Sequence, residues 1–324
     1  MVKSATCHTP TITAFAANCA IEALRKRGIE ALPLLRHAGL DNLDFGDPQI
    51  RIPAARQGEF LECAAEAMAD TAFGLHLAEQ ANPRDSGLLF YVGAASRDLR
   101  EAVTLYLRYS GLINESLRLK FERSVVEFNF VGVSQQRVRQ NTEFWIGIIV
   151  KSIREITGRD IRPRRIACPH LRNTDLTEFA RYYGCPVEFG APVGRLAFAN
   201  ESFDIPLVTQ DRSLLETLRP FCEAAARARQ MGEGSFRASV ENEAQRLLMR
   251  GQVNVAAVAK ALAISARTMS RRLSEEGTSF AEVVDRLRHT LALQYLKQPD
   301  MKAAQIGWIL GYESQSSFNH AFRR

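Results

Sequence analysis

The 324-residue chain lacks any uninterrupted apolar run of about 18 residues, which excludes a membrane-spanning helix. Glycine and proline are modest at 20 and 12 residues, which excludes a collagen-like or disordered chain. The six cysteines are scattered without a C-x-x-C pair, so free thiols are expected instead of a disulfide framework or a zinc site. In the N-terminal region the cations follow the short apolar patch, whereas a signal peptide would place them before it. The expected location is the cytoplasm.

Lysine is also scarce, because 35 of the 42 basic residues are arginine. Residues 235–324 carry thirteen Lys and Arg against eight Asp and Glu, whereas residues 1–234 carry 29 against 28. Nearly all of the net charge of +6 therefore lies in the last quarter of the chain. A solvated basic surface would explain this pattern, and so would a domain that binds a polyanion.

Motifs typical of enzymes are absent from the sequence. It contains no G-x-S-x-G, H-E-x-x-H, Walker loop or dinucleotide fingerprint. The six histidines form no pair at ligand spacing, and the one cluster is Cys168-Pro-His170 with Cys185. We therefore predict no enzyme, no catalytic residue, no cofactor and no metal site.

Hydrophobic periodicity predicts an α+β domain over residues 1–205. Apolar residues at three- and four-residue spacing predict helices over 12–27, 54–69, 98–112 and 138–157. Alternation in twos predicts strands over 116–121 and 125–131, and further short strands are expected at 164–168, 187–189 and 195–198. The first two strands are expected to join at 122–124 and to place Leu117, Leu119, Phe121, Val126, Phe128 and Phe130 on one side.

The boundary between two domains is predicted within residues 206–234. Residues 211–230 have the composition of a helix, and residues 231–235 carry two glycines in a short polar stretch that suits a linker. Residues 235–324 then form a second domain, in which every periodic segment is helical.

The second domain contains one unit twice. Ala259 and Gly307 are 48 residues apart, as are Ala263 and Gly311. Two pairs of apolar residues repeat at a spacing of 49, namely Met269 with Phe318 and Leu273 with Phe322. A repeat at matched positions in the basic segment is much more specific than a single helical hairpin.

Each repeated position suits a helix-turn-helix. The first small residue permits a close approach of two helices, and the second ends the first helix in a left-handed conformation. Ser265 and Ser314 are placed to cap the second helix of each unit. The helix 280–296, with an apolar stripe through Phe280, Val284, Leu287 and Leu291, would connect the two units. An all-helical interaction domain is the alternative.

Residues 240–324 resemble the DNA-binding domain of AraC/XylS-type bacterial transcription regulators. The segments 265–280 (SARTMSRRLSEEGTSF) and 306–324 (IGWILGYESQSSFNHAFRR) carry this resemblance. Residues 12–200 resemble the arabinose-binding-type N-terminal domain of the ornithine-responsive subgroup, most clearly at 85–91 (DSGLLFY) and 105–110 (LYLRYS).

The resemblance implies which side chains contact DNA. The base-facing candidates are Arg267, Ser270, Arg271, Gln315, Ser316, Ser317, Asn319 and His320. The phosphate-binding candidates are Arg272, Arg286, Arg288, Arg323 and Arg324. For each of them, an exposed side chain without a partner is the alternative.

Two departures from the family pattern affect these expectations. Ala263 stands where the family usually has glycine, which predicts strain in the first turn. The sequence ends at Arg324, about a dozen residues before the family usually ends. We therefore expect the second helix-turn-helix unit to contribute less to DNA binding than the first.

The resemblance implies a transcription regulator that binds double-stranded promoter DNA. It also implies contact with RNA polymerase, a possible small-molecule effector, and a homodimer formed through the N-terminal domain. A DNA-repair methyl-acceptor is one alternative, although it needs a Pro-Cys-His-Arg segment and this chain has Ala167-Cys-Pro-His. A non-enzymatic architectural DNA-binding protein is another, although the large neutral N-terminal domain argues against it.

Five aromatic residues of the first domain could line an effector pocket. They are Phe90, Tyr91, Tyr106, Phe130 and Trp145. Core packing explains aromatic residues at such spacing more often, so the sequence identifies no effector-binding residue.

Overall fold

The computed structural model describes residues 9–47, 50–172, 176–228, 236–248, 252–296, 303–312 and 317–318. Within them an α+β region precedes a helical region. The helices of the first region are α1 Phe15–Lys26, α2 Ala31–His37, α3 Ala54–Ala67, α4 Phe73–Gln80, α5 Leu88–Ala94, α6 Leu99–Tyr109, α7 Arg139–Thr157, α8 Thr177–Tyr183 and α9 Arg212–Ala228. Among these described residues no helix is long and apolar enough to cross a membrane.

The helix predicted to begin at residue 12 begins instead at Phe15. Thr11–Thr13 forms strand β1, which pairs antiparallel with β2, Arg51–Pro53, so that Ile12 faces Ile52. Both isoleucines are fully buried. Three consecutive β-branched residues favour an extended backbone, and this tertiary pairing overrides the helical spacing that follows.

A five-stranded sheet forms the other layer of the first region. Its strands are β3 Leu117–Glu122, β4 Val125–Phe130, β5 Arg165–Cys168, β6 Val187–Phe189 and β7 Gly194–Ala197. Their order is β3-β4-β7-β5-β6, and only β5 and β6 run parallel. All five predicted strands are confirmed to within one or two residues.

The β3–β4 hairpin fixes which side chains face the helices. Arg123 and Ser124 form its two-residue loop, and both have positive φ angles, of 48° and 68°. Such a loop matches the right-handed twist of the two strands. The resulting register pairs Leu117 with Phe130 and Leu119 with Phe128, which confirms that these apolar residues share one face.

The helical region has its own core. Its helices are α10 Phe236–Leu248, α11 Val255–Ala261, α12 Ala266–Glu275, α13 Phe280–Leu296 and α14 Ala303–Ile309. A capping box starts α13: Ser279 N–H donates to Glu282 Oε2 at 2.8 Å, and Glu282 N–H donates to Ser279 Oγ at 3.3 Å. The apolar stripe predicted for this helix is confirmed, since Val284, Leu287 and Leu291 are buried.

Helix α9 packs with the first region, because Leu215 and Cys222 share a cluster with residues of α5 and α6. The linker predicted at 231–235 lies outside the described residues. The domain limits at 205 and 234 remain predictions.

Candidate DNA-binding surface and sensor cavity

The first repeated unit consists of α11, a short turn and α12. Asn254 caps α11, its Oδ1 accepting the Ala257 N–H at 2.8 Å. Ser265 caps α12, its Oγ accepting the Thr268 N–H at 3.0 Å, as predicted. Each cap satisfies a backbone donor that the helix itself leaves unpaired, which fixes where both helices start.

One face of α12 is buried and the other is exposed. Met269 and Leu273 are fully buried, which confirms them as the anchor pair of this unit. Arg267, Ser270 and Arg271 are exposed on the same helix. The guanidinium of Arg271 is 3.0 Å from the Glu275 carboxylate, in an exposed pair that contributes little to stability. A competing phosphate or guanine can therefore replace Glu275 at small cost.

The turn between α11 and α12 is strained, as the sequence predicts. Ala263 adopts a φ of +55°, a left-handed conformation that glycine tolerates much better. Exchange of Ala263 for glycine should raise the free energy of unfolding of the helical region by about 0.5–1 kcal/mol. Urea unfolding of the full chain, with hydrogen exchange followed over residues 255–275, measures the gain.

The matched control for Ala263→Gly is Ala266→Gly, the same exchange at an exposed, right-handed position at the start of α12. It should lower stability by about 0.5–1 kcal/mol, because glycine there only adds freedom to the unfolded chain. Equal losses from both exchanges would show that Ala263 carries no strain.

The second unit is described in part. Gly307 is the close-approach residue, since a Cβ built on it would lie 3.1 Å from Cβ of Phe318. Gly311 has a φ of +73° and Phe318 is buried, which matches the first unit at equivalent positions. Ser317 is exposed. The remaining second-unit predictions lie outside the described residues: Ser314, Gln315, Ser316, Asn319, His320, Phe322, Arg323 and Arg324.

Three phosphate candidates make contacts inside the helical region. The guanidinium of Arg272 lies over the Phe236 ring at 4.1 Å from its centroid. Arg288 donates from Nε to the Leu310 carbonyl at 2.9 Å and lies over the Tyr312 ring. Arg286 is exposed and donates to Thr278 Oγ1 at 2.9 Å. Arg286 is thus the candidate whose removal disturbs the packing least.

Helix α10 docks the helical region onto the first region. Its buried Asn242 donates from Nδ2 to the carbonyls of Phe130 at 2.9 Å and Val133 at 3.0 Å. Asn242 Oδ1 accepts the Gln135 N–H at 3.3 Å, and Ser134 Oγ donates to Glu241 at 2.7 Å. These bonds satisfy backbone groups at the end of β4 and in the turn after it. A buried backbone group that lost its partner would lower the stability of the protein.

A second docking point lies on residues 169–172. Gln245 Nε2 donates to the Pro169 carbonyl at 3.0 Å, and Gln136 Nε2 donates to the same oxygen at 3.4 Å. Leu171 belongs to the apolar cluster of the helical region. None of these docking residues could be predicted from the sequence, because a buried amide side chain on an amphipathic helix has the same residue type as a polar surface residue.

A buried ionic group supports this second docking point. His170 Nε2 lies 2.8 Å from Glu143 Oε1, and Arg172 forms a bidentate salt bridge with the same carboxylate. Burial opposes ionisation of Glu143, but the hydrogen bond from His170 and the charge of Arg172 outweigh it and lower the pKa of Glu143. Burial lowers the pKa of His170, which favours the neutral ring.

The geometry of Cys168 does not suit a methyl acceptor. Its thiol is buried, and burial together with the nearby Glu143 charge raises its pKa well above the ordinary value. A nucleophilic cysteine needs the opposite shift, toward the thiolate. No group of three or more metal-ligating side chains occurs in the described part of the chain.

An apolar cavity of about 140 Å³ lies in the first region, between α5, α6, α7 and the face of β3, β4 and β7. Phe90, Tyr106, Phe130 and Trp145 line it, whereas Tyr91, the fifth aromatic residue considered in the sequence, is 42% exposed and does not. An unfilled void of this size costs on the order of 3 kcal/mol of unfolding free energy.

Two short helices joined by a sharp turn, the second with a buried anchor pair on one face and exposed arginine and serine on the other, have the geometry of a helix-turn-helix module. Here that module is docked by hydrogen bonds onto an α+β region with an internal cavity. The protein is therefore of the class in which a helix-turn-helix module is joined to a separate α+β domain.

Comparison with known families gives the particular family. Residues 28–207 match the arabinose-binding domain of AraC transcription regulators, N-terminal, and residues 258–324 match a helix-turn-helix domain. Because the first match covers more than half of the chain, the protein belongs to the family of AraC-type transcription regulators. It is a DNA-binding transcription regulator and not an enzyme.

Individual proteins also match this chain over most of its length. The ornithine utilization regulator of Pseudomonas aeruginosa is 24% identical over 79% of this chain and 76% of its own. The HTH-type transcriptional regulator VirS of Mycobacterium tuberculosis is 26% identical over 94% of this chain and 90% of its own. The crystal structure of the transcriptional regulator CdpR from Pseudomonas aeruginosa is similar at a TM-score of 0.45 and 20% identity, over 96% of this chain and 94% of that chain.

Proposed function

We propose that the protein reads two adjacent major-groove segments of a promoter, one with each helix-turn-helix unit, under the control of an effector bound in the first region. The observation that carries the proposal is the exposed face of α12, where Arg267, Ser270 and Arg271 lie opposite Met269 and Leu273. Arginine can bind guanine with two hydrogen bonds, and serine accepts several bases. The repeat spacing of 48–49 residues supports a second reading helix around Ser317.

The two units would contact one face of the duplex about one helical turn, or 34 Å, apart. Helix α13 joins them and is continuous over Phe280–Leu296. A continuous helix cannot stretch, so fitting both units favours bent DNA, and the sequence is then read partly through its deformability.

The proposal is tested by selecting binding sites from genomic fragments with the full chain, and then by substituting single arginines. Arg271→Ala should relax specificity at one base position, with a loss of about 1–3 kcal/mol against the preferred base. Arg286→Ala should weaken binding on all sequences and reduce the salt dependence by about one unit of slope.

Arg25→Ala is the control for both variants, because Arg25 is an exposed arginine of α1 that pairs with Glu22 on its own helix. It removes the same charge and should leave both specificity and salt slope unchanged. Equal effects of Arg271→Ala and Arg286→Ala would contradict the division into base-reading and phosphate-binding side chains. An absence of any enriched motif would contradict sequence-specific binding.

The docking network supports effector control. Phe130 lines the cavity with its side chain and accepts a hydrogen bond from Asn242 through its carbonyl. A change at the cavity therefore has a direct route to α10 and the DNA-binding units. Couplings of this kind are typically 1–3 kcal/mol.

The names of the family and of one relative refer to arabinose and to ornithine. Arabinose needs a hydrogen-bond partner for each hydroxyl, and ornithine needs partners for its charges. No charged side chain lines this cavity in the described part of the chain, and its walls are almost entirely apolar. We therefore carry neither ligand over to this protein.

A homodimer formed through the first region is also proposed. Leu88 and Tyr91 of α5 and Phe221 of α9 are exposed, with 62% of Phe221 accessible, on two helices that pack together. Exposed apolar side chains grouped in this way favour burial against a second copy. Contact with RNA polymerase at the promoter, in the cytoplasm, completes the proposed activity.

A further inference from the structure

The apolar cavity offers a ligand little besides hydrophobic contact. Six of its wall residues, drawn from the sheet, α6 and α7, are Leu119, Phe128, Phe130, Leu99, Tyr106 and Trp145. Its volume of about 140 Å³ is close to that of the engineered protein cavity that holds benzene, which is about 150 Å³. A single ring or a short alkyl chain fits a space of this size.

Trp145, which lines the cavity, carries a buried hydrogen-bond donor that the described part of the protein does not use. Its indole Nε1–H is buried and meets no hydrogen-bond acceptor among the residues that the structure describes. The ring is held edge-to-face against Phe15 and Phe144, so the donor is fixed in place. A buried donor left unpaired lowers stability, and an acceptor on a ligand would remove that cost.

Several of the other polar side chains in the wall already have hydrogen-bond partners. Thr142 Oγ1 donates to the Val138 carbonyl at 2.8 Å, and Ser152 Oγ donates to the Ile148 carbonyl at 2.7 Å, both along α7. Asn141 Oδ1 accepts from Gln57 Nε2 at 2.9 Å. Burial also raises the pKa of the Tyr106 phenol, which stays neutral. A charged ligand would find no counter-charge in this part of the wall.

We infer that this cavity binds a small, uncharged, mainly apolar molecule carrying one hydrogen-bond acceptor, such as a carbonyl or ether oxygen, which the Trp145 indole N–H recognises. The inference rests on the proposed effector control and specifies the chemical class of the effector. Because Phe130 both lines the cavity and bonds to Asn242, an occupant presses on the strand end that holds α10. Binding and docking are then coupled through one residue.

Three probes of similar size test the class: acetophenone, ethylbenzene and benzoate. The full chain with Trp308→Phe retains Trp145 as its one tryptophan. The substitution should not disturb packing, because the Trp308 side chain on α14 is 81% exposed. Acetophenone should shift the Trp145 emission saturably. It should bind about fivefold tighter than ethylbenzene, the factor expected for one net hydrogen bond. Benzoate should bind at least tenfold more weakly than acetophenone, because its charge has no partner.

Two variants locate the site, with binding measured by calorimetry. Trp145→Phe removes the donor but keeps an aromatic ring, so acetophenone should lose its advantage while ethylbenzene binds as before. Ala102→Leu fills the cavity from α6, where Ala102 is buried in the wall, and should weaken both neutral probes at least tenfold. Folding of each variant is checked by circular dichroism before binding is measured.

The inference is overturned if neither neutral probe binds the Trp308→Phe chain, if benzoate binds as tightly as acetophenone, or if Trp145→Phe leaves the ratio of the two neutral probes unchanged. Promoter binding by the same preparations is measured in parallel. Intact DNA binding without probe binding refutes the ligand class alone. If the unsubstituted chain shows no sequence-specific DNA binding, the proposed function is refuted instead.

Discussion

Asn242→Asp is expected to separate the helical region from the first region. The change is nearly isosteric, but it replaces the Nδ2 donor with an oxygen that faces the carbonyls of Phe130 and Val133. Two buried acceptors lose their donor and a buried negative charge is added, which together should cost roughly 2–5 kcal/mol of docking free energy. Urea unfolding of the full chain should change from one transition to two.

Hydrogen exchange gives a local readout of the same change. The amide of Gln135, which donates to Asn242, and the amide of Leu171, whose side chain packs in the helical region, should lose protection in Asn242→Asp. Burial raises the pKa of the introduced carboxyl above its unfolded value, so the native state gains relative stability as the pH falls and that group binds its proton. The defect should therefore be largest near pH 7 and smaller near pH 5.

Asn254→Asp is the matched control. Asn254 caps α11 at an exposed position in the same helical region, and aspartate caps a helix equally well. It should leave both the unfolding profile and the exchange of residues 130–136 unchanged. A single unfolding transition with full protection in Asn242→Asp would show that docking does not depend on this amide.

Much of the fold follows from local pattern in the sequence. The strands with alternating apolar residues, the 139–157 helix and the cap at Ser265 are determined by neighbours a few residues away, and the sequence predicts them well. The left-handed Ala263 follows from its position in the repeat, because both units need a sharp turn at the same place.

Features that depend on distant contacts could not be predicted in the same way. Helix α4 was not predicted, since it is short and contains Gly74, a residue that disfavours helices. The glycine is explained by tertiary packing, because a Cβ there would overlap the Gln140 carbonyl of α7. Ile12 likewise joins a strand through a partner forty residues away.

The candidate DNA-binding side chains of α12 could be identified from the sequence because a repeat and a resemblance mark them. The cavity could not, because a residue that lines a void and a residue that packs tightly have the same composition. Asn242 and Gln245 show the same difficulty for an interface, as only the opposing carbonyls of Phe130 and Pro169 reveal their role.

Arg172→Met is expected to cause the largest loss of stability among these variants. The Arg172 and Glu143 side chains are 4% and 1% exposed, and Arg172 is the cationic partner that holds the carboxylate with two nitrogens. Removing one member of a buried pair leaves an uncompensated charge and should cost about 3–5 kcal/mol. Urea unfolding of the full chain at pH 7 measures it.

The pH dependence identifies the cause of this loss. The lowered pKa of Glu143 contributes stability that is present above its unfolded value and is lost as the pH falls through the folded value. In Arg172→Met the buried carboxyl takes up a proton more readily, so the gap between variant and parent should narrow below about pH 5. His170 acts in the same direction, because burial and the charge of Arg172 lower its pKa. In Arg172→Met that pKa should rise, so protonation of His170 should destabilise the variant less than the parent as the pH falls.

Two further variants separate charge from packing. Arg165→Met removes an exposed pair with Glu188 on the neighbouring strands and should cost less than about 1 kcal/mol. Adding Glu143→Gln to Arg172→Met removes the unpaired charge and should restore part of the stability at pH 7. A loss that does not depend on pH, or that the second substitution leaves unchanged, would assign the effect to packing.

The location of this ionic group links the stability of the protein to the docking of its two regions. Arg172 and His170 flank Leu171, which packs in the helical core, and Pro169 accepts the hydrogen bond from Gln245. Glu143 lies on α7, the helix that also carries Trp145 into the cavity wall. Arg172→Met should therefore loosen the second docking point as well, with reduced exchange protection at the Leu171 amide. Asn242→Asp acts at the first docking point, so the two substitutions together should release the DNA-binding units completely.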